Sequence, residues 1–419
     1  MELKLSYGKC TETVTVEDKN ILHILEPNEV PVELTGGEEV LRALLNPVGT
    51  PRLKDIVKKG EKVAIITSDI TRPMPTGKVL PHVLDELETA GVDLKDVLVV
   101  FALGAHRAHT EEEMRYLAGD ASFERVKCVD ADASDCAHLG VTEMGTPVDV
   151  YTPVAKADRR ICLGNVEYHY FAGYSGGAKA IMPGVSTRDA IQSNHSRMVE
   201  AAACAGRIEG NPVRADIDAV ANFVPIDFIL NVVLNEKKEI IKAFAGHYIQ
   251  AHRQACAFLD KLYKAEIDAR ADIVIVSPGG YPKDINLYQA QKALDNAKHA
   301  VKKGGVVILT ASCKEGLGEH VFERWMTGSD SPDAMVQEIE RNFELGGHKA
   351  AAIAMVLQDA DIYLVSDMDG DFVRSIFLEP YGSVQAAYDA AADKLGKDAK
   401  VIVMPYGGST LPSQKIDLL

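Results

Sequence analysis

Residues 62–73 read KVAIITSDITRP, an unbroken apolar run that ends in a polar turn. Isoleucine and valine in continuous succession, closed by turn residues, fit a strand covered on both faces better than one with a wet side. The same signature recurs at 97–103 (VLVVFAL), 161–164, 226–234 (IDFILNVVL), 272–277 (DIVIVS), 306–310 (VVILT), 361–366 (DIYLVS) and 400–404 (KVIVM). Helical periodicity fills intervals between them, at 77–90, 187–203, 248–264 and 287–302. Strand–helix alternation of this kind predicts an α/β protein with doubly wound, mainly parallel sheets flanked by helices.

The chain has 419 residues, which sets a prior of two or three domains. The best break lies at 269–271, where the charged helical stretch AFLDKLYKAEIDARAD gives way to DIVIVS. This predicts a first domain over 1–268 and a second over 272–395. The tail at 396–419 carries a strand that the sequence assigns to neither.

Lys plus Arg number 45 and Asp plus Glu 61, a formal net charge of −16. That balance argues against nucleic acid and against an anionic membrane as partners, because both require neutralisation of phosphates. A small anionic substrate is compatible with it, since a local basic pocket can oppose the global sign. The seven cysteines, at 10, 128, 136, 162, 204, 256 and 313, are odd in number, widely spaced and without a C-x-x-C pair. They suggest a reducing compartment, with neither a disulfide framework nor a cysteine zinc site. The opening MELKLSYGKCTETV lacks an apolar signal core, and no apolar run reaches the ~18 residues of a membrane span. The expectation is a cytoplasmic protein.

Five stretches concentrate chemistry. Asp69 and Arg72 directly follow a predicted strand, where ligands of open α/β sheets gather; Arg72 can grip a carboxylate or phosphate through two N–H groups. His106 and His109, in GAHRAHT after the next strand, precede a capping box formed by Thr110 and Glu113. Imidazoles titrate near neutrality and suit acid/base work, whereas zinc binding by this pair would need further ligands. The densest stretch, GNVEYHYFAGYSGGAKAIMPG at 164–184, holds five glycines, His169 and Lys179. Gly173, Gly176 and Gly177 allow positive φ and an anion cradle of backbone N–H groups. Ala178 stands where a Walker A loop needs its lysine, and no G-x-G-x-x-G occurs. His195 lies in QSNHS, and taken alone reads more readily as a hydrogen-bonded buried histidine than as a ligand. In PGGYPKDINLYQAQKAL at 278–294, a helix starting near Leu287 would put Tyr288 and Lys292 on one face.

Taken in this order, DITRP, GAHR, HYFAGYSGGAK, NHS and YQAQK resemble the nickel-pincer lactate racemase family over about residues 60–300. The resemblance implies an isomerase, a racemase or epimerase of 2-hydroxy acids working by reversible hydride transfer. Its active site would lie in the cleft between two α/β domains. The implied cofactor is a nickel-bound pincer made from a pyridinium mononucleotide, the nickel-pincer nucleotide, covalently held by Lys179. His195 would be the protein ligand to nickel, a metal that imidazole suits. His106 and His169 would be the acid/base pair. Arg72 and Lys292 would hold the substrate carboxylate, with Tyr288 and Gln289 beside them. Phe171 would line the pocket around the substrate side chain. Asp69, Gly173, Ser175, Gly176 and Gly177 would serve the cofactor, Asp69 by orienting it or Arg72. Implied partners are the small hydroxy-acid substrate and proteins that make the cofactor or insert nickel; assembly into a homo-oligomer is left open.

Two other classes compete. One is a conventional enzyme, either a zinc hydrolase using His106, His109 and His195 or a phosphate-ester enzyme using the glycine loop. The other is a non-catalytic binding or carrier protein.

Overall fold

The computed structural model describes residues 1–104 and 106–414. The chain divides into two compact units: residues 30–260, and residues 1–29 together with the chain from 261 onward.

The unit of residues 30–260 is built on a six-stranded sheet. Its strands are β1 (Val63–Ser68), β2 (Val97–Ala102), β3 (Lys127–Asp130), β4 (Arg159–Asn165), β5 (Phe228–Leu234) and β6 (Ile240–Gly246), in the spatial order β6-β5-β4-β1-β2-β3. All neighbours are parallel except β5 and β6. The run that opened the reading is the interior strand β1: Val63, Ala64, Ile65 and Ile66 are at most 1% exposed. Helix α1 (Thr76–Thr89) places Val79, Leu80, Val83, Leu84 and Leu87 at helical spacing, all buried in one core with Ile65, Phe101, Leu163 and Leu230. Further helices are α2 (Glu111–Ala118), capped by the expected Thr110–Glu113 box, α3 (Arg188–His195), α4 (Pro212–Ala219) and α5 (Gln250–Tyr263), whose last residues reach the unit boundary.

The other unit has a sheet whose paired strands are all parallel: β7 (Ala271–Val276), β8 (Val301–Thr310), β9 (Ala360–Val365), β10 (Glu379–Tyr381) and β11 (Val401–Met404), ordered β10-β9-β8-β7-β11. The strand Ile21–Ile24 closes it beyond β11. Its helix α6 (Leu287–Ala297) follows β7.

Three expectations need correction. Residues 1–29 do not join the unit that follows them. The hairpin Glu2–Tyr7/Cys10–Thr15 sends Leu5 and Val14 into one core with Ile273, Ile308 and Val403, and Ile21–Ile24 pairs with β11. The tail strand β11 therefore lies inside the second sheet. The helix expected over 187–203 stops at His195 and tightens into the 3-10 turn Ser196–Val199; the Ser196 hydroxyl bonds the Ser193 carbonyl at 3.1 Å, a local competitor of helical pairing. The helix expected over 287–302 stops at Ala297, because Val301 already pairs with Ala271 in the sheet.

Candidate active site

In the unit of residues 30–260 the strand order reverses between β1 and β4: successive strands spread one way from β1, then the chain returns to the other side. Ligands of open α/β sheets bind at the carboxyl ends of the strands flanking such a reversal. The loops leaving β1, β2 and β4 are the DITRP, GAHR and glycine-rich stretches, so three motifs far apart in sequence emerge from adjacent strands.

After β1 the chain makes a turn in which the Arg72 N–H bonds the Asp69 carbonyl at 3.2 Å. The Asp69 carboxylate is 2% exposed; its Oδ2 lies 2.5 Å from His106 Nδ1, and its Oδ1 accepts from the Thr71 hydroxyl at 2.8 Å. Burial alone would raise the Asp69 pKa, but the bonds from His106 and Thr71 and the charge of Arg72 outweigh it and hold the carboxyl below its ordinary value. Asp69 thus backs the His106 ring through Nδ1. Arg72 is exposed. His109 is turned elsewhere: Nε2 accepts from the Ile70 N–H at 3.1 Å, and Nδ1 donates to Asp130 Oδ1 at 2.6 Å.

The glycine loop is held from behind. Arg214 of α4, fully buried, donates to the carbonyls of Ala172 (3.2 Å), Gly176 (3.5 Å) and Tyr174. Asn231, at the centre of apolar β5, accepts from the Gly177 N–H at 3.0 Å. His252 of α5 takes a proton bond from Arg253 on Nδ1 and donates through Nε2 to the Ser175 carbonyl at 2.8 Å. The glycines answer to this packing. At Gly173, with φ +76°, a Cβ would stand 2.1 Å from the Arg207 carbonyl oxygen; at Gly176 it would meet Asn231 Oδ1 at 2.8 Å. The Ser175 hydroxyl joins the Asn165 carbonyl (2.7 Å) to the Glu167 N–H (2.9 Å) and so shapes the loop itself.

Phe171 sits at the centre of the grouping. Its ring is edge-on to His169 at 4.5 Å and to His195 at 4.9 Å between centroids, and the Lys179 ammonium lies 5.9 Å from it. At 2% exposure Phe171 is a platform beneath these groups. His169 Nδ1 accepts from the Ala172 N–H at 3.3 Å, which puts the proton of the neutral ring on Nε2. Burial, then the charges of Lys179 and Arg72, push the His169 pKa well below the ordinary histidine value. Burial and the guanidinium groups of Arg214 and Arg72 likewise push Lys179 well below the ordinary lysine value, favouring the neutral, nucleophilic amine. His195 ends α3, its Nδ1 bonded to Asn194 Oδ1 at 2.8 Å, which leaves the ring lone pair on Nε2. Asn194 in turn donates to the buried Asp216 at 2.8 Å, and the hydroxyls of Thr142 and Thr146 donate to the same carboxylate.

In the other unit, Asn286 caps α6 by accepting from the Gln289 N–H at 3.0 Å. Gln289 and Lys292 are exposed and Tyr288 half-buried, with helical spacing that puts them on one side of α6. The Lys349 ammonium donates to the Tyr288 carbonyl at 2.6 Å and lies 3.9 Å from the centre of its ring.

The structure thus groups His169, Phe171, Lys179 and His195, and separately pairs Asp69 with His106. It does not assemble His106, His109 and His195 as a zinc site; among the described residues no cluster of three or more His, Cys, Asp or Glu side chains is arranged to hold a metal ion. The supporting residues Arg214, Asn231, His252, Asn194 and Asp216 were missed by sequence reasoning. Asn231 left a signal, an amide inside an otherwise apolar strand; Arg214 left none.

Residues 7–206 match a family profile described as the lactate racemase N-terminal domain, and residues 267–411 one described as the lactate racemase C-terminal domain. The chain is 33% identical to a lactate racemase of Thermoanaerobacterium thermosaccharolyticum over 99% of both chains. It is 31% identical to a lactate racemase of Lactiplantibacillus plantarum over 97% of this chain and 98% of that one. The solved structure of the Thermoanaerobacterium lactate racemase apoprotein superimposes with a TM-score of 0.89 at 32% identity, covering 99% of this chain and all of that one. A Thermotoga maritima crystal structure, 20% identical with a TM-score of 0.66 over 91% of this chain and all of that one, shares the fold.

Proposed function

The chain belongs to the lactate racemase family, and from that premise we propose that it is an isomerase that interconverts the stereoisomers of a small 2-hydroxy acid. The observation that carries the reading is the grouping of a neutral-favouring imidazole (His169), a neutral-favouring amine (Lys179) and a second imidazole (His195) around Phe171, at strand ends that also present the Asp69–His106 pair.

The residues fit a nickel-pincer nucleotide. Lys179, whose ammonium form is disfavoured, is suited to a covalent acyl-type link, and His195, its proton on Nδ1, would offer Nε2 to nickel. When bound, that group supplies an acceptor for the hydrogen of the substrate α carbon, taken as hydride. The protein's work is to hold and to move protons. Direct deprotonation of the α carbon is disfavoured by the adjacent carboxylate, so the hydroxyl proton is the one a side chain removes. In our reading His106 and His169 stand on opposite faces of the substrate: one takes the hydroxyl proton as the α hydrogen leaves as hydride, giving a planar 2-keto acid, and once the carbon has turned over the other, protonated beforehand, gives its own proton to the oxygen as the hydride returns to the carbon. Asp69, bonded to His106 Nδ1, fixes the orientation of that ring. Arg72 fixes the carboxylate, and Tyr288, Gln289 and Lys292 are further candidates for binding the hydroxy acid.

Chiral chromatography tests this. Protein loaded with the nickel cofactor, incubated with lactate, 2-hydroxybutyrate, malate, phenyllactate and gluconate, is expected to erase the stereochemical purity of one of them. Unchanged purity throughout, with intact mass showing Lys179 modified, would sink the racemase reading in favour of a carrier.

A further inference from the structure

The loop that carries Asp69 and Arg72 has little packing of its own. Ile70 is 37% exposed, and Thr71 and Arg72 are exposed. A turn with so few apolar contacts is located by its hydrogen bonds. One of them comes from outside the proposed machinery. The Ile70 N–H, the first central amide of the turn, donates to His109 Nε2 at 3.1 Å. His109 cannot swing away, because its side chain is 1% exposed, its ring lies edge-on to Phe101 at 5.5 Å, and Asp130 takes both its Nδ1 proton (2.6 Å) and its backbone N–H (2.7 Å). Asp130 is the last residue of β3, the edge strand beyond β2, so the bond chain runs from the sheet edge across β2 to the turn after β1.

We propose that His109, oriented by Asp130, is a positioning residue that pins the Asp69–Arg72 turn and thereby sets where the His106-backing carboxylate and the substrate-gripping guanidinium stand. Two neighbouring histidines of one loop then have different tasks. His106 has one nitrogen on Asp69 and works with the other, whereas both nitrogens of His109 are spent on holding backbone and carboxylate. The tautomer matters, since only an imidazole protonated at Nδ1 can accept at Nε2, and Asp130 selects that form.

The effect on catalysis rests on the racemase reading; the pin itself does not. The test therefore has two arms on the full-length chain. In the protein without cofactor, exchange of the Ile70 amide is followed in wild type, His109→Ala and His109→Gln. Gln can place an oxygen near the position of Nε2, so it keeps the acceptor while giving up the bond to Asp130. Exchange is expected to accelerate about ten-fold in His109→Ala, the scale of one lost hydrogen bond, and to stay near wild type in His109→Gln. Equal exchange in all three overturns the pin. In the cofactor-loaded enzyme, kcat/KM on the racemised hydroxy acid is expected to fall about ten-fold in His109→Ala and to recover in His109→Gln. Faster Ile70 exchange with unchanged kcat/KM overturns the positioning role. Absence of turnover in wild type strikes the racemase reading and leaves the pin to be decided by the exchange arm.

Discussion

Lys179 shows how much a single side chain gives up to be reactive. Its ammonium form is disfavoured by burial and by Arg214 and Arg72, so the folded protein without cofactor holds it at a cost. Lys179→Met should therefore abolish covalent cofactor attachment, read by intact mass, and yet raise the Tm of the cofactor-free protein by about 2 °C. A lower Tm would mean that the amine is stabilised by its surroundings. Asp69→Asn keeps the shape of the turn but removes the charge behind His106; kcat should fall about 100-fold, the scale of a general acid/base contribution. At this scale the sequence was legible where a residue type has few alternative uses. A lysine beside glycines and a histidine in the same motif were singled out from their residue types, and the structure brings Lys179 and His169 together around Phe171. His109 and Phe171 were not legible, because what they do is set by direction. His109 turns to backbone, and Phe171 lies edge-on to both His169 and His195, contacts that its place in the motif does not announce.

The glycine loop illustrates the next scale. Its course is dictated less by its own residues than by β5, α4 and α5, which supply Asn231, Arg214 and His252. Asn231→Ala deprives the Gly177 N–H of its acceptor and should cost about 1–3 kcal/mol in chemical denaturation, together with weaker cofactor retention. No loss of stability would imply that Gly177 is held by something else. Strands with a buried apolar stretch were the legible elements: β1, β2, β4, β5, β7, β8, β9 and β11 each contain one of the runs seen in the sequence. The half-exposed edge strand β3 (KCVD) and β6 (IIKAFAG), with Lys242 in its middle, carry no such signature, since an edge needs apolar residues on only part of its surface. Helix ends were misjudged where side chains or sheet pairing cut the periodicity short, at His195 and Ala297.

At the scale of the molecule, burial of histidines governs the response to acid. His169 and His252 are pushed well below their ordinary value of 6.5 and His299 down to about 3, each first by burial. Between about pH 6.5 and pH 5 the unfolded chain protonates these imidazoles while the folded chain keeps them neutral. The unfolded state then binds more protons, so stability present near neutrality is lost as the pH falls through this window. Calorimetry at about pH 5.5 in buffers of different ionisation enthalpy should show uptake of about three protons on unfolding; uptake below one would contradict the burial described. The carboxylates held low by their partners, such as Asp69 and Glu61, add their own losses only at lower pH.

The course of the chain between its two units has a bearing on how the protein is made. Residues 1–29 belong with the chain from 261 onward, and residues 30–260 are inserted between them. On the ribosome the strand Ile21–Ile24 emerges long before its partner exists, since it must wait for β11 at Val401–Met404. The inserted unit has its own core, running from Val40 to Ala245, and can close while the opening residues are still waiting. During synthesis Leu5 and Val14 of the N-terminal hairpin thus wait for Ile273, Ile308 and Val403 to complete their core, an interval in which a holdase could cover them. A chain stopped before Val401 would leave Ile21–Ile24 without the strand it pairs with.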